Sequence, residues 1–183
     1  MASQRKSNRR QQEFDKLEYE TASGDPLTIA TRISWEFFGT LTFRGKEARP
    51  SRGYKLVWPF FRDVATQFDR PYNKLMICLR EERGEATGRF HFHYLLAGVR
   101  PSNSITASHI QAALWKRRTG GFAQVRPFDG SRAGAAYVLK CLSGEDEYEL
   151  AKFGRTDRVT FSRSVGLCIR SLDRMKRNAA ARS

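Results

Sequence analysis

The sequence predicts an α+β domain: a central antiparallel sheet of about five strands with flanking helices. Three observations predict it. Runs rich in aromatic and β-branched residues fall at 35–43, 75–79, 89–96 and 122–126. Two longer segments, 54–69 and 106–118, separate those runs and carry apolar residues at helical spacing. The second and third runs are joined by a polar stretch holding Gly84 and Gly88, as in an antiparallel hairpin.

Composition bounds the function. The 183 residues suit one domain with tails. Thirteen phenylalanines and three tryptophans argue against wholesale disorder. Thirty-three basic against 19 acidic residues leave a net charge of +14, which implies a polyanionic partner. Nucleic acid is the first choice and an anionic membrane surface the second. No stretch approaches the ~18 apolar residues needed to span a bilayer, and the N-terminus lacks the apolar core of a signal peptide. A cytoplasmic nucleic-acid binder is therefore expected. Cys78, Cys141 and Cys168 are odd in number and widely spaced, which fits a reducing compartment and argues against a zinc ribbon or a disulfide framework.

In chain order, residues 1–25 read as a basic tail with a short helix at 13–22, and residues 26–183 as the domain. Trp35–Phe43 is the first strand, and Gly39 within it marks a bulge or a close backbone approach. A basic loop follows, with Arg44, Lys46, Arg49 and Arg52 in or beside it. In 54–69, Leu56, Phe60, Val64 and Phe68 form a core-facing stripe, with Pro59 expected in the first turn or so. Leu75–Leu79 is the second strand, and Arg80 to Gly88 a polar turn. In 106–118, Thr106 or Ser108 is the expected cap, and Ile110, Leu114 and Trp115 face inward. His109 lies on the outer face, and Lys116, Arg117 and Arg118 end the helix before Gly120 and Gly121. Phe122–Arg126 is another strand. Residues 131–142 form a helix on which Tyr137, Lys140 and Cys141 share a face.

The strand at 89–96 carries the chemistry. Side chains alternate along a strand, so His91 and His93 share one face while Phe92 and Tyr94 take the other. Two imidazoles on one rigid strand can bind one metal ion. An isolated His-x-His pair is commonly just two half-buried polar residues, so the flanking residues decide. The hairpin brings Glu81 or Glu82 beside His91.

Phe38-Gly39-Thr40-Leu41-Thr42-Phe43, His91-Phe92-His93 and Tyr137-Val138-Leu139-Lys140, in that order, resemble the three motifs of the HUH endonuclease superfamily, specifically its rolling-circle replication initiators. The resemblance spans about residues 33–142. Glu82-Arg83-Gly84, Gly88 to His91, Trp115 to Gly121, Gln124-Val125-Arg126, Ala135-Ala136-Tyr137 and Phe161 to Leu167 are similar to segments of the phage and small-replicon initiators.

The resemblance implies a ferredoxin- or RRM-like sheet and a defined chemistry. His91, His93 and an acidic side chain, Glu82 with Glu81 in reserve, would hold a divalent ion. That mixed donor set suits Mn²⁺ or Mg²⁺. Tyr137 would attack a phosphodiester of single-stranded DNA and form a 5′-phosphotyrosine, with Lys140 holding the phosphate or lowering the tyrosine pKa. Arg44, Lys46, Arg49, Arg52, Arg89, Lys116, Arg117 and Arg118 would contact phosphates. The DNA would be a replication origin or its hairpin, in a bacterial or other replicon-bearing cell. Many phage initiators have a second tyrosine where this chain has Cys141, so a single-tyrosine enzyme is expected. The chain contains no phosphate-binding loop of the Gly-x-x-x-x-Gly-Lys-[Ser/Thr] type, so a replication role would need a host helicase as well as a polymerase.

Two rival readings stand beside this one. A transposase or mobilisation relaxase would use the same chemistry. A non-catalytic nucleic-acid-binding module would use the aromatics and basic residues alone.

Overall fold

The computed structural model describes residues 32–44, 50–83, 89–129 and 159–180. Within them the chain runs β1 (Phe37–Thr42), α1 (Pro50–Gln67), a 3-10 turn (Tyr72–Lys74), β2 (Met76–Arg83), β3 (Phe90–Ala97), α2 (Ser104–Thr119), β4 (Ala123–Pro127), β5 (Val159–Phe161) and α3 (Arg163–Ala180). The strands form one antiparallel sheet in the order β4-β1-β3-β2-β5. From β1 to β4, leaving the 3-10 turn aside, the elements are two interleaved β-α-β units, with β3 set between β1 and β2; this is ferredoxin-like connectivity. The predicted α+β class and five-stranded sheet are what the chain adopts.

Strand alternation divides the sheet into two faces. Phe37, Leu41, Ile77, Leu79, Phe92, Tyr94 and Leu96 point to one, where Phe60, Phe61 and Val64 of α1 and Leu114 and Trp115 of α2 close the main core. Phe38, Cys78, Leu95 and Ala97 point to the other and pack with Ile33, Trp35 and Val165 and Ile169 of α3. That second face turns polar toward its other end, where Thr40, Thr42, Glu82, His91 and His93 sit.

Gly39 shows why the first strand carries a glycine. It pairs with Tyr94 across the sheet, and the Tyr94 ring occupies the space a Cβ would need. The ring lies over the strand backbone, and its hydroxyl donates to Gln111 Oε1 at 2.9 Å, which ties β3 to α2.

Several expectations change. β2 continues through Arg80, Glu81 and Glu82 to Arg83 instead of ending at Leu79, because each of these residues pairs with one on β3. Helix α1 begins at Pro50, so Pro59 falls in its interior and not near its first turn. The carbonyl that Pro59 leaves without a donor is that of Lys55, an exposed residue. The cap of α2 is Asn103, whose side chain accepts from the Thr106 N–H at 2.9 Å; neither Thr106 nor Ser108 fills that role. Gly120 ends α2 in the left-handed conformation, φ 65°, as its position suggested. Strand β5 and helix α3 are additions to the elements that sequence pattern marks. The tail and helix at 1–25, Lys46 and Arg49, the hairpin turn and the helix bearing Tyr137, Lys140 and Cys141 lie outside the described residues.

Candidate active site

The hairpin register builds the site. Glu82 pairs with His91 and Arg80 with His93, so Arg80 and Glu82 project from β2 on the histidine face. On the opposite side β1 places Thr42 against His91 and Thr40 against His93. Glu81 pairs with Phe92 and belongs to the core-side face. Of the two acids, Glu82 is the one that joins the histidines.

Ligand atoms of Glu82, His91 and His93 all lie within 4.8 Å of one another. His91 Nε2 and His93 Nε2 are 3.0 Å apart. Glu82 Oε2 lies 3.1 Å from His93 Nε2 and 3.9 Å from His91 Nε2. The outer nitrogens are occupied. His91 Nδ1 lies 3.2 Å from the Arg89 carbonyl, which can only accept, so Nδ1 carries the proton and Nε2 keeps its lone pair. His93 Nδ1 lies 3.0 Å from Thr40 Oγ1, and that hydroxyl can accept from it. With both Nδ1 atoms protonated, two lone pairs and a carboxylate oxygen converge on one point. Glu82 Oε2 is buried and has no hydrogen bond of ordinary geometry despite its nearness to His93. A cation at that point resolves the arrangement, so the residues fit a divalent metal. Two imidazoles and one carboxylate leave coordination positions open for water or phosphate oxygens, as suits Mn²⁺ or Mg²⁺.

The surroundings tune the charges. Burial, opposed by the Arg89 carbonyl bond, holds the His91 imidazole below its ordinary value of 6.5. Burial pushes the Glu82 carboxyl up, but the contact with His93 and the charges of His93, Arg80 and His91 together bring it below its ordinary 4.5. Arg80 is buried, with Nη2 3.8 Å from Glu82 Oε2. Its charge helps keep the carboxylate ionised.

Four neighbours escaped sequence reasoning: Thr40, Arg80, Phe38 and Arg126. The Phe38 ring stacks on His93 with centroids 6.0 Å apart, and the Arg126 guanidinium lies 4.9 Å from the Phe38 ring centre. Alternation in Thr40-Leu41-Thr42 could have signalled Thr40, since Leu41 faces the core. Arg80 is hidden because the charged run that it opens reads as a turn.

The predicted phosphate contacts scatter. Arg44, Arg89, Lys116 and Arg117 are exposed. Arg118 hydrogen-bonds Asp63 on α1 through Nε at 2.9 Å. Arg52 lies within α1.

Fold and site define an α+β domain that carries a candidate divalent-metal centre on one face of its sheet. The chain belongs to the replication-associated protein family of the ORF2 type, whose model matches residues 36–146. That span holds β1, both histidines, Glu82, Tyr137 and Lys140, and it stops short of β5 and α3. No curated protein matches the chain. No described helix is long and apolar enough to cross a membrane.

Proposed function

We propose that this replication-associated protein is a metal-dependent single-strand DNA endonuclease and strand transferase of the HUH type, which nicks an origin to start rolling-circle replication. The observation that carries the reading is the Glu82–His91–His93 cluster, within a family match that also spans Tyr137. The Tyr137 hydroxyl attacks the scissile phosphorus. A bond forms between the tyrosine oxygen and phosphorus, and the bond from phosphorus to the 3′ oxygen breaks. The tyrosine loses its proton and the departing 3′ oxygen gains one. The 5′ phosphate stays on the protein, and the free 3′-OH can prime synthesis. Phosphotyrosine retains the diester's energy, so a later 3′-OH can reverse the step and rejoin the strand.

His91, His93 and Glu82 would hold Mn²⁺ or Mg²⁺, which when bound polarises the scissile phosphate and offsets charge in the transition state. Thr40 and the Arg89 carbonyl orient the imidazoles. Lys140, one helical turn from Tyr137 on the predicted helix, steadies the phosphate or the phenolate.

The test is a denaturing gel of protein mixed with labelled single-stranded oligonucleotides spanning its replicon's origin, in Mn²⁺ and in EDTA, beside Tyr137→Phe. The expected result is a covalent adduct that needs the metal and disappears in Tyr137→Phe. An adduct that persists in that variant means that another residue is the nucleophile. No adduct from folded, metal-loaded protein overturns the enzymatic reading.

A further inference from the structure

Phe122 is an aromatic residue left in solvent beside the candidate metal centre. It is 69% exposed, whereas most aromatic side chains of the sheet are buried. Its carbonyl accepts from Thr42 at N, 2.8 Å, and at Oγ1, 2.9 Å, which extends the β1–β4 pairing by one residue beyond Leu41–Ala123. Thr42 in turn pairs with His91, and His91 with Glu82. Phe122, Thr42, His91 and Glu82 therefore stand in one row across the sheet.

The side to which Phe122 points follows from its neighbours. Ala123 and Val125 pack on the main core. Phe122, Gln124 and Arg126 alternate with them and project to the histidine face, as the Arg126 guanidinium over Phe38 shows directly. Gln124 and Arg126 are exposed as well. β4 is the edge strand on this side of the described sheet, two strands from β3. Phe122 is thus about 10 Å from the histidines at the usual strand spacing.

The position is rigid and positively charged. Gly121 approaches the Thr42 carbonyl too closely to carry a Cβ, and Trp115 Nε1 donates to that same carbonyl at 2.8 Å. The backbone under Phe122 is therefore pinned to β1 and α2. Arg44 lies against Gly120, and exposed Lys116 ends α2 nearby. An exposed ring held rigidly among cations on a polar face is a poor packing element. It has the chemistry of a base-stacking platform: the ring offers its face to a base while the cations meet the phosphates on either side.

We propose that Phe122 stacks a base of single-stranded DNA next to the nucleotide at the metal centre, with Arg44 and Lys116 holding the flanking phosphates and Gln124 and Arg126 continuing the track along β4. This rests on the reading above only in taking single-stranded DNA as the ligand. It requires no cleavage.

The test measures binding of the full chain to a fluorescein-labelled oligothymidylate by anisotropy, in EDTA so that no chemistry occurs. Phe122→Ala is expected to bind roughly tenfold more weakly, with its dependence on salt unchanged, since stacking releases no counterions. Phe122→Trp is expected to bind like the parent, and its added indole emission to be quenched by unlabelled oligothymidylate. Lys116→Ala is expected to lower the salt slope by about 0.7. Phe122→Ala binding like the parent, or losing affinity only through a reduced salt slope, overturns the proposal. Circular dichroism of each variant separates lost binding from lost folding. A missing covalent adduct in the nicking assay would leave these outcomes as they are, so the two readings fail separately.

Discussion

His91 and His93 turn their Nε2 atoms toward each other, 3.0 Å apart, because each ring is engaged from behind: His91 by its own strand's Arg89 carbonyl, His93 by Thr40 of the neighbouring strand. A strand alone would place the two imidazoles on one face. The pair of outer contacts is what aims both inner nitrogens at the point that Glu82 also reaches.

The first prediction concerns ligand identity. Glu82→Gln should weaken Mn²⁺ binding, measured by titration calorimetry, and should reduce adduct formation in parallel. Glu81→Gln should leave both near the parent level, because Glu81 pairs with Phe92 and faces away from the cluster. Equal losses in the two variants would contradict the register.

The second concerns Thr40. Thr40→Val keeps the shape but removes the hydroxyl facing His93 Nδ1. Loss of such an orienting partner typically costs about 10- to 100-fold in metal affinity. Calorimetry with Mn²⁺ should show that loss while the unfolding midpoint changes little. Unchanged affinity would mean that packing against Phe38 suffices to orient the ring.

The third is a pH dependence. His91 and Glu82 both titrate below their ordinary values of 6.5 and 4.5 in the folded protein. The unfolded chain therefore binds more protons in the interval between each pair of values, and stability rises with pH there. Their contribution is complete above the unfolded values. The His91 share starts to be lost as pH falls through 6.5, and the Glu82 share as it falls through 4.5. Metal competes with the same protons, so Mn²⁺ affinity should persist at pH 6.5 and decline only below it. A decline centred above that pH would contradict the depressed imidazole.

The fourth concerns the sheet. Gly39→Ala drives a methyl into the Tyr94 ring, which cannot yield freely because its hydroxyl is bonded to the buried Gln111. Overpacking of this kind costs about 1–3 kcal/mol. Urea unfolding should show a lower midpoint with an unchanged slope.

Local pattern carried much of this protein in readable form. Alternation placed His91 and His93 together, helical spacing marked α1 and α2, and paired glycines marked the end of α2. These features depend on neighbours within a few residues, so the sequence displays them. Glu82 was narrowed to one of two adjacent acids, but the choice turned on whether β2 stopped at Leu79 or ran to Arg83. The charged residues Arg80 to Arg83 have weak strand preference of their own, and only pairing with β3 makes them strand.

The sequence by itself determined the α+β class, the histidine pair and the basic character. Each of these follows from composition or from the periodicity of a single element. Tertiary structure decided which carboxylate meets the histidines, which hydroxyl orients His93, that Arg80 is buried beside Glu82, and that Phe122 stands exposed in the same row. Those relations join strands far apart in the chain, with Thr40 meeting His93 across 53 residues and Thr42 meeting Phe122 across 80. Register between strands is set by the fit of two faces over a shared core, and no single segment contains that information.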